Sequence, residues 1–210
     1  MATTILHIDS SALGDRSVSR KLTAKVLSEL KSAHPHATVV ARDLAANPLP
    51  HLDGLAIGAF FTPPDQRPPV LAQAIKLSDD AVDELLKADI IVLGAPMYNF
   101  GIPSSLKAWI DHIVRAGRTF KVGPAGPQSL LPPGKKVIIV SSRGQVYTEG
   151  PYTALDHQES YLKAILGFIG LHDVSFVRAE GMATGEAASQ QALKKAETQL
   201  AEAIRRATAA

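Results

Sequence analysis

Three stretches of this chain pair reactive side chains with backbone that can present them. The first is Ser10-Ser11-Ala12-Leu13-Gly14-Asp15-Arg16-Ser17-Val18-Ser19, which runs into a segment of helical periodicity. Hydroxyls and free N–H groups at a helix N-terminus make an anion site that suits a phosphate monoester. The plainer reading of the same residues is an N-cap from Ser17 or Ser19. The second stretch is Ala95-Pro96-Met97-Tyr98-Asn99-Phe100-Gly101-Ile102-Pro103-Ser104-Ser105-Leu106-Lys107. Its prolines stiffen both ends, Gly101 permits close backbone approach, and the middle offers aromatic surface plus an amide that both donates and accepts. A flat heteroaromatic ring would fit there; the alternative is that Tyr98 and Phe100 pack the sheet edge. The third stretch, Ser141-Ser142-Arg143-Gly144-Gln145-Val146-Tyr147, is a polar turn with a glycine and a cation. It either hydrogen-bonds the polar edge of such a ring or is a plain strand-to-helix turn. Neither a Gly-x-Gly-x-x-Gly fingerprint nor a Gly-Lys-Ser/Thr loop occurs in the first stretch, which argues against Rossmann-type dinucleotide binding and against nucleoside triphosphates.

The elements around these stretches predict where they stand. Residues 3–8 form a β-rich run ending in turn formers, and Leu22, Val26, Leu27 and Leu30 give a helix that stops at His34-Pro35. Residues 38–42 read as a second strand. The segment 47–69 carries Pro48, Pro50, Pro63, Pro64, Pro68 and Pro69 and reads as an irregular excursion. A long helix with Leu71, Ile75, Val82, Leu85 and Leu86 on one face ends at Asp89, and 90–95 is a wholly apolar third strand. A helix over 103–114 leads into a Gly- and Pro-rich loop over 117–134. Residues 136–141, a helix through Leu162 and Ile169, 174–179 and a terminal helix complete the chain. Strand and helix alternate five times, which predicts an α/β fold: a flavodoxin-like, five-stranded parallel sheet of order 2-1-3-4-5 with helices on both faces. In such a sheet, ligands bind beyond the carboxyl ends of the strands, where all three stretches fall.

Composition narrows the chemistry. With 210 residues and 46% hydrophobic content, the chain is read as one domain over 1–210. Lys and Arg exceed Asp and Glu by 22 to 20 with no basic block, so neither nucleic acid nor a membrane surface is an expected partner. The absence of cysteine excludes disulfides, thiolate nucleophiles and Cys-held metal centres, so redox chemistry needs a borrowed cofactor. No segment is long and apolar enough to span a bilayer and the N-terminus lacks a basic leader, so a cytoplasmic protein is expected. Of the seven histidines only His34 and His36 are close, across a proline, and no metal site is expected. Asp79, Asp80, Asp83 and Glu84 read as a solvated helix face, and Trp109 as core.

Taken together, the three stretches resemble the FMN-dependent NADH-azoreductases within the flavodoxin-like quinone reductases. Arg42-Asp43-Leu44-Ala45-Ala46-Asn47-Pro48, Arg115-Ala116-Gly117 and Gly167-Phe168-Ile169-Gly170 extend the likeness over nearly the whole chain. The resemblance implies an FMN-dependent NAD(P)H oxidoreductase that reduces quinones by two electrons and cleaves azo compounds by a ping-pong scheme. It implies that Ser11, Ser17, Val18 and Ser19 hold the FMN phosphate. Pro96, Met97, Tyr98, Asn99 and Phe100 would lie along the isoalloxazine, and Ser142, Arg143, Gly144 and Gln145 would close on its pyrimidine side. No catalytic side chain is implied, because flavin N5 carries the hydride from NADH or NADPH. The family's homodimers imply that the 103–114 helix and the 47–69 excursion help build the partner's pocket. Where the family commonly has Gly-Gly, this chain has Gly144-Gln145, and Gln145 is expected to take an ordinary negative φ. A flavodoxin proper, carrying single electrons, is disfavoured by the excess of base and the long excursion. A flavin-free regulatory module is the third reading.

Overall fold

The computed structural model describes residues 2–124 and 126–209; Met1, Ala125 and Ala210 lie outside them. Five strands form one parallel sheet: β1 (Thr4–Asp9), β2 (Thr38–Asp43), β3 (Ile90–Pro96), β6 (Lys136–Ser142) and β7 (Val174–Ala179), in the order β2-β1-β3-β6-β7. That is the expected flavodoxin-like order. The central strands, Ile-Ile-Val-Leu-Gly-Ala-Pro in β3 and Lys-Val-Ile-Ile-Val-Ser-Ser in β6, have buried interiors because both faces are covered. Helices α1 (Val18–Ala33) and α6 (Glu186–Thr208) pack Leu22, Val26, Leu30, Ala196 and Leu200 against Ile5, Val92 and Val140 on one face. On the other, α3 (Pro69–Lys87), α4 (Ser104–Ile113) and α5 (His157–Phe168) pack Leu85, Leu106, Trp109, Ile110 and Leu162 against Leu6, Leu93 and Ile139. Trp109 is core, as its helical offset predicts.

Two segments read as irregular contain regular structure. The excursion holds a helix, α2 (Gly54–Phe61), capped by the Asp53 carboxylate, which accepts from the Ala56 N–H at 2.8 Å. Its sequence Gly-Leu-Ala-Ile-Gly-Ala-Phe-Phe is apolar throughout, so no 3.6-residue period marks it. The expected 117–134 loop holds an antiparallel hairpin of β4 (Phe120–Gly123) and β5 (Gly126–Ser129). Its strands are only four residues long and β5 carries a proline, too little for a period-2 signal. The acids on α3 are not simply solvated: Asp79 pairs with Arg115 and Arg118, Asp83 with Arg118, and Glu84 with Arg42. Asp89 lies past the end of α3, where its carboxylate accepts from the Thr4 N–H at 2.8 Å and fixes the start of β1.

Candidate functional site

The loops after β1, β3 and β6 stand side by side at the carboxyl edge because β1, β3 and β6 are neighbours in register. They are also bonded to one another. The Tyr98 hydroxyl, from the second loop, accepts from the Ala12 N–H at 3.2 Å and lies 3.4 Å from Ser11 Oγ in the first. Met97 N–H donates to the Ser142 carbonyl at 2.9 Å, joining the second loop to the third.

In the first loop Ser10 is buried and donates to the Gly94 carbonyl at 2.6 Å, while Ser11 Oγ accepts from the Leu13 N–H at 3.3 Å. Backbone approaches closely at Gly94, where a Cβ would stand 2.7 Å from Asp9 Oδ1 and force that carboxylate to shift. Ser17 does cap α1: its hydroxyl accepts from the Arg20 N–H at 3.3 Å and lies 3.1 Å from Ser19 Oγ. Capping leaves the Val18 and Ser19 N–H groups without a partner among the described residues. The helix start therefore keeps both hydroxyls and two free donors, the donor set an anion needs.

The second loop is a tight turn. Tyr98 and Gly101 exchange both N–H···O bonds at 3.0 Å, and the two residues between them, Asn99 and Phe100, have φ of 48° and 67°. Left-handed backbone at both central positions is the type I′ geometry. Asparagine tolerates it, but phenylalanine does so at a cost of about 1–2 kcal/mol. Gly101, to which the sequence pointed for backbone freedom, is not left-handed, and a Cβ there would meet nothing closer than 3.9 Å. The strain sits instead on the aromatic residue, whose carbonyl accepts from the first N–H of α5, at His157, at 3.1 Å. Phe100 is 42% exposed and meets Tyr147 edge-on with ring centroids 6.3 Å apart; Tyr152 lies 6.1 Å beyond.

In the third loop the cation of the polar turn does not reach the surface at the carboxyl edge of the sheet. The Arg143 guanidinium is turned inward and fully buried, bonded to Gln158 Oε1 at 3.1 Å, Asp156 Oδ2 at 2.9 Å, Glu159 Oε1 at 2.8 Å and Glu180 Oε1 at 3.2 Å. A guanidinium presents its donors in a planar fork, which is why it can tie α5 and the end of β7 to one point. Burial alone would raise the pKa of Glu159, but the hydrogen bond from Arg178 and the charges of Arg178, Arg143 and Lys163 outweigh it and hold the carboxyl below its ordinary value. Glu180 also accepts from the Tyr147 and Thr148 N–H groups at 2.8 and 3.2 Å, which sets the course of the loop. Arg143 offers the site neither its guanidinium nor its N–H, which donates to the Ala179 carbonyl at 2.9 Å. Gln145 has negative φ, as expected, and its carbonyl accepts from the Gly181 N–H at 3.1 Å. The N–H groups of Gly144, Gln145 and Val146 have no partner among the described residues.

Sequence reasoning missed Arg20, Asp43, Glu180 and the carboxylates around Arg143. The topology carried one signal: with β2 beside β1, Asp43 had to stand level with Asp9 at the same edge.

The helix start with its hydroxyls, the aromatic turn and the third loop lie together at the switch point of a doubly wound sheet, the place where such folds bind ligands. The chain belongs to the flavodoxin-like fold family, whose match runs over residues 3–204. Among its relatives, it is 52% identical over 201 residues to "FMN-dependent NADH:quinone oxidoreductase 2" of Trichormus variabilis, covering 95% of this chain and 97% of the relative. An azoreductase of Bacillus anthracis superposes with a TM-score of 0.85 at 32% identity over 98% of this chain and 99% of that one. A second structure from the same organism, an FMN-dependent NADH-azoreductase in complex with FMN, gives 0.87 at 26% identity over 99% and 100%.

Proposed function

We propose that this chain is an FMN-dependent NADH:quinone oxidoreductase that reduces quinones by two electrons, cleaves aromatic azo compounds to amines by a ping-pong mechanism, and works as a homodimer in the cytoplasm. The observation that carries the reading is the three-loop junction centred on the strained Asn99-Phe100 turn. Ser11, Ser17 and Ser19, with the Val18 and Ser19 N–H groups, would hold the phosphate; Pro96 to Phe100 would lie along the ring; the loop from Ser142 to Gln145 would meet its pyrimidine edge through the Gly144 and Gln145 N–H groups. When bound, FMN supplies hydride chemistry between NADH or NADPH and the acceptor. The chain's own task is positioning. Phe100 and Tyr147 offer one aromatic wall to a planar nicotinamide or acceptor and keep water from that face. One wall serving both ligands in turn is the basis of the ping-pong reading, and no side chain need act as an acid.

The homodimer is supported by α2, which carries no polar side chain yet buries only Ala56 and Ala59. Leu55, Ile57 and Phe61 stand exposed, with Val70 and Leu77 of the adjoining α3, and a helix apolar on all sides is normally covered. The cytoplasm is the compartment that supplies NADH.

Steady-state NADH oxidation with menadione tests the reading. Parallel initial-rate lines at several quinone concentrations are expected, with two NADH consumed per azo bond cleaved when an azo dye replaces the quinone. Near-zero turnover would point to a one-electron carrier, and intersecting lines would refute the shared face.

A further inference from the structure

The loop between β1 and α1 is held by a charged side chain directed away from the cleft. Arg20, on the first turn of α1, donates through Nε and Nη2 to the Ser11 carbonyl at 3.2 and 2.9 Å. Its Nη1 and Nη2 also bond the two Asp43 carboxylate oxygens at 2.7 and 2.6 Å. Asp43 is locked in turn, since Oδ1 accepts from the Ala45 and Ala46 N–H groups at 3.0 and 3.1 Å. The peptide joining Ser11 to Ala12 is trans and planar, so its C=O and N–H point in opposite directions. With the carbonyl drawn onto Arg20, the Ala12 N–H faces the other way, where the Tyr98 hydroxyl stands 3.2 Å from it.

We propose that Arg20, seated by Asp43, is the positioning residue of the phosphate-binding loop: by holding the Ser11 carbonyl, it directs the Ala12 N–H onto the Tyr98 hydroxyl and keeps the carbonyl from turning toward the anion held by Ser11, Ser17 and Ser19. This rests on the reading of Ser11, Ser17 and Ser19 as phosphate-holding residues. Released from Arg20, the peptide can turn over and present a carbonyl dipole that repels an anion. The task needs a guanidinium, because one side chain must bond the carbonyl through two nitrogens while meeting a carboxylate in fork-to-fork geometry; an ammonium has no such plane. The Asp43 carboxyl, pulled down to about 2 by the Arg20 hydrogen bond, remains ionised throughout the neutral range, so the clamp does not switch with physiological pH.

Riboflavin carries the ring and ribityl chain without the phosphate, so the ratio of riboflavin to FMN dissociation constants isolates this subsite. Both constants are read by flavin fluorescence quenching on apoprotein whose folding is checked by circular dichroism. Arg20→Ala and Asp43→Asn should each weaken FMN about tenfold while leaving riboflavin within about twofold, and Arg20→Lys should not restore the ratio. Should Arg20→Ala fail to fold, Asp43→Asn and Arg20→Lys carry the same test. Arg42→Gln breaks the other arginine–carboxylate pair of β2, with Glu84, and serves as the control for general loosening; its ratio should equal the wild type's. A wild-type ratio in Asp43→Asn and Arg20→Ala, or equal losses for both flavins, would overturn the proposal. A wild-type protein that binds riboflavin as tightly as FMN would remove the phosphate assignment itself, and the positioning role with it.

Discussion

Replacing Phe100 by glycine separates what this residue does for stability from what it does for function. At φ 67° the phenylalanine pays about 1–2 kcal/mol for left-handed backbone that glycine adopts freely. Against that gain, glycine loosens the unfolded chain, costing about 0.5–1 kcal/mol. The variant also loses the edge contact with Tyr147, worth about 0.5–1.5 kcal/mol for a buried pair and less for a ring 42% exposed. These contributions nearly cancel, so Phe100→Gly should leave stability within about 1 kcal/mol of wild type, a shift in Tm of about 2–4 °C for a chain of this size. Catalysis should respond differently. Loss of the aromatic wall removes about 1 kcal/mol or more of stacking from a planar acceptor, so kcat/KM for menadione should fall about fivefold or more. Thermal unfolding and steady-state rates on one preparation decide it. A variant destabilised by more than about 2 kcal/mol with kcat/KM intact would show that Phe100 is a structural residue and that the strained turn serves packing.

At Gln145 the side chain is free and the backbone is ordinary, so Gln145→Gly should change relative kcat/KM among acceptors of different width while FMN affinity stays within about threefold; a large loss of FMN binding with unchanged acceptor preference would place the amide on the cofactor. The Ser17→Ala, Ser19→Ala double variant should lose about 1 kcal/mol of stability through the missing cap and bind FMN about tenfold more weakly; FMN affinity at the wild-type level would reduce Ser17 to a cap alone. Asp43 sets a pH dependence: its carboxyl is lowered from 3.8 to about 2 by the hydrogen bond from Arg20, so its contribution is fully present above about pH 4 and is lost as pH falls toward 2. Asp43→Asn should therefore cost about 1 kcal/mol at pH 7, after allowing for screening at a carboxylate about one-third exposed, and less near pH 3. Urea midpoints at the two pH values check this, and an equal cost at both would contradict it.

The sheet was legible because each strand is bounded by turn formers and the central ones are apolar runs. β3 reads as a strand buried on both faces, and the alternation of strands with amphipathic helices leaves little choice of topology. Site location followed from topology, since the loops after β1, β3 and β6 must share one edge. Side-chain direction did not follow. Arg143 looks like a cation offered to a ligand, but the carboxylates that claim it come from α5 and the loop after β7, 13 to 37 residues away in sequence. Asn99-Phe100 hides its turn because a left-handed pair is normally signalled by Asn-Gly, and the glycine one position later drew attention to the wrong residue. α2 was missed for a third reason: a helix apolar on every side has no period, and only its Asp53 cap marks it.

The most direct measurement of the central claim is the absorption spectrum of purified protein reconstituted with FMN and followed anaerobically through two additions. NADH should bleach the bound flavin near 450 nm within the turnover time of the enzyme, and a stoichiometric quinone should then restore the oxidised spectrum with no further NADH present. Protein that retains no FMN, or whose bound flavin NADH leaves oxidised, would contradict the assignment of this cleft as a flavin site serving hydride transfer.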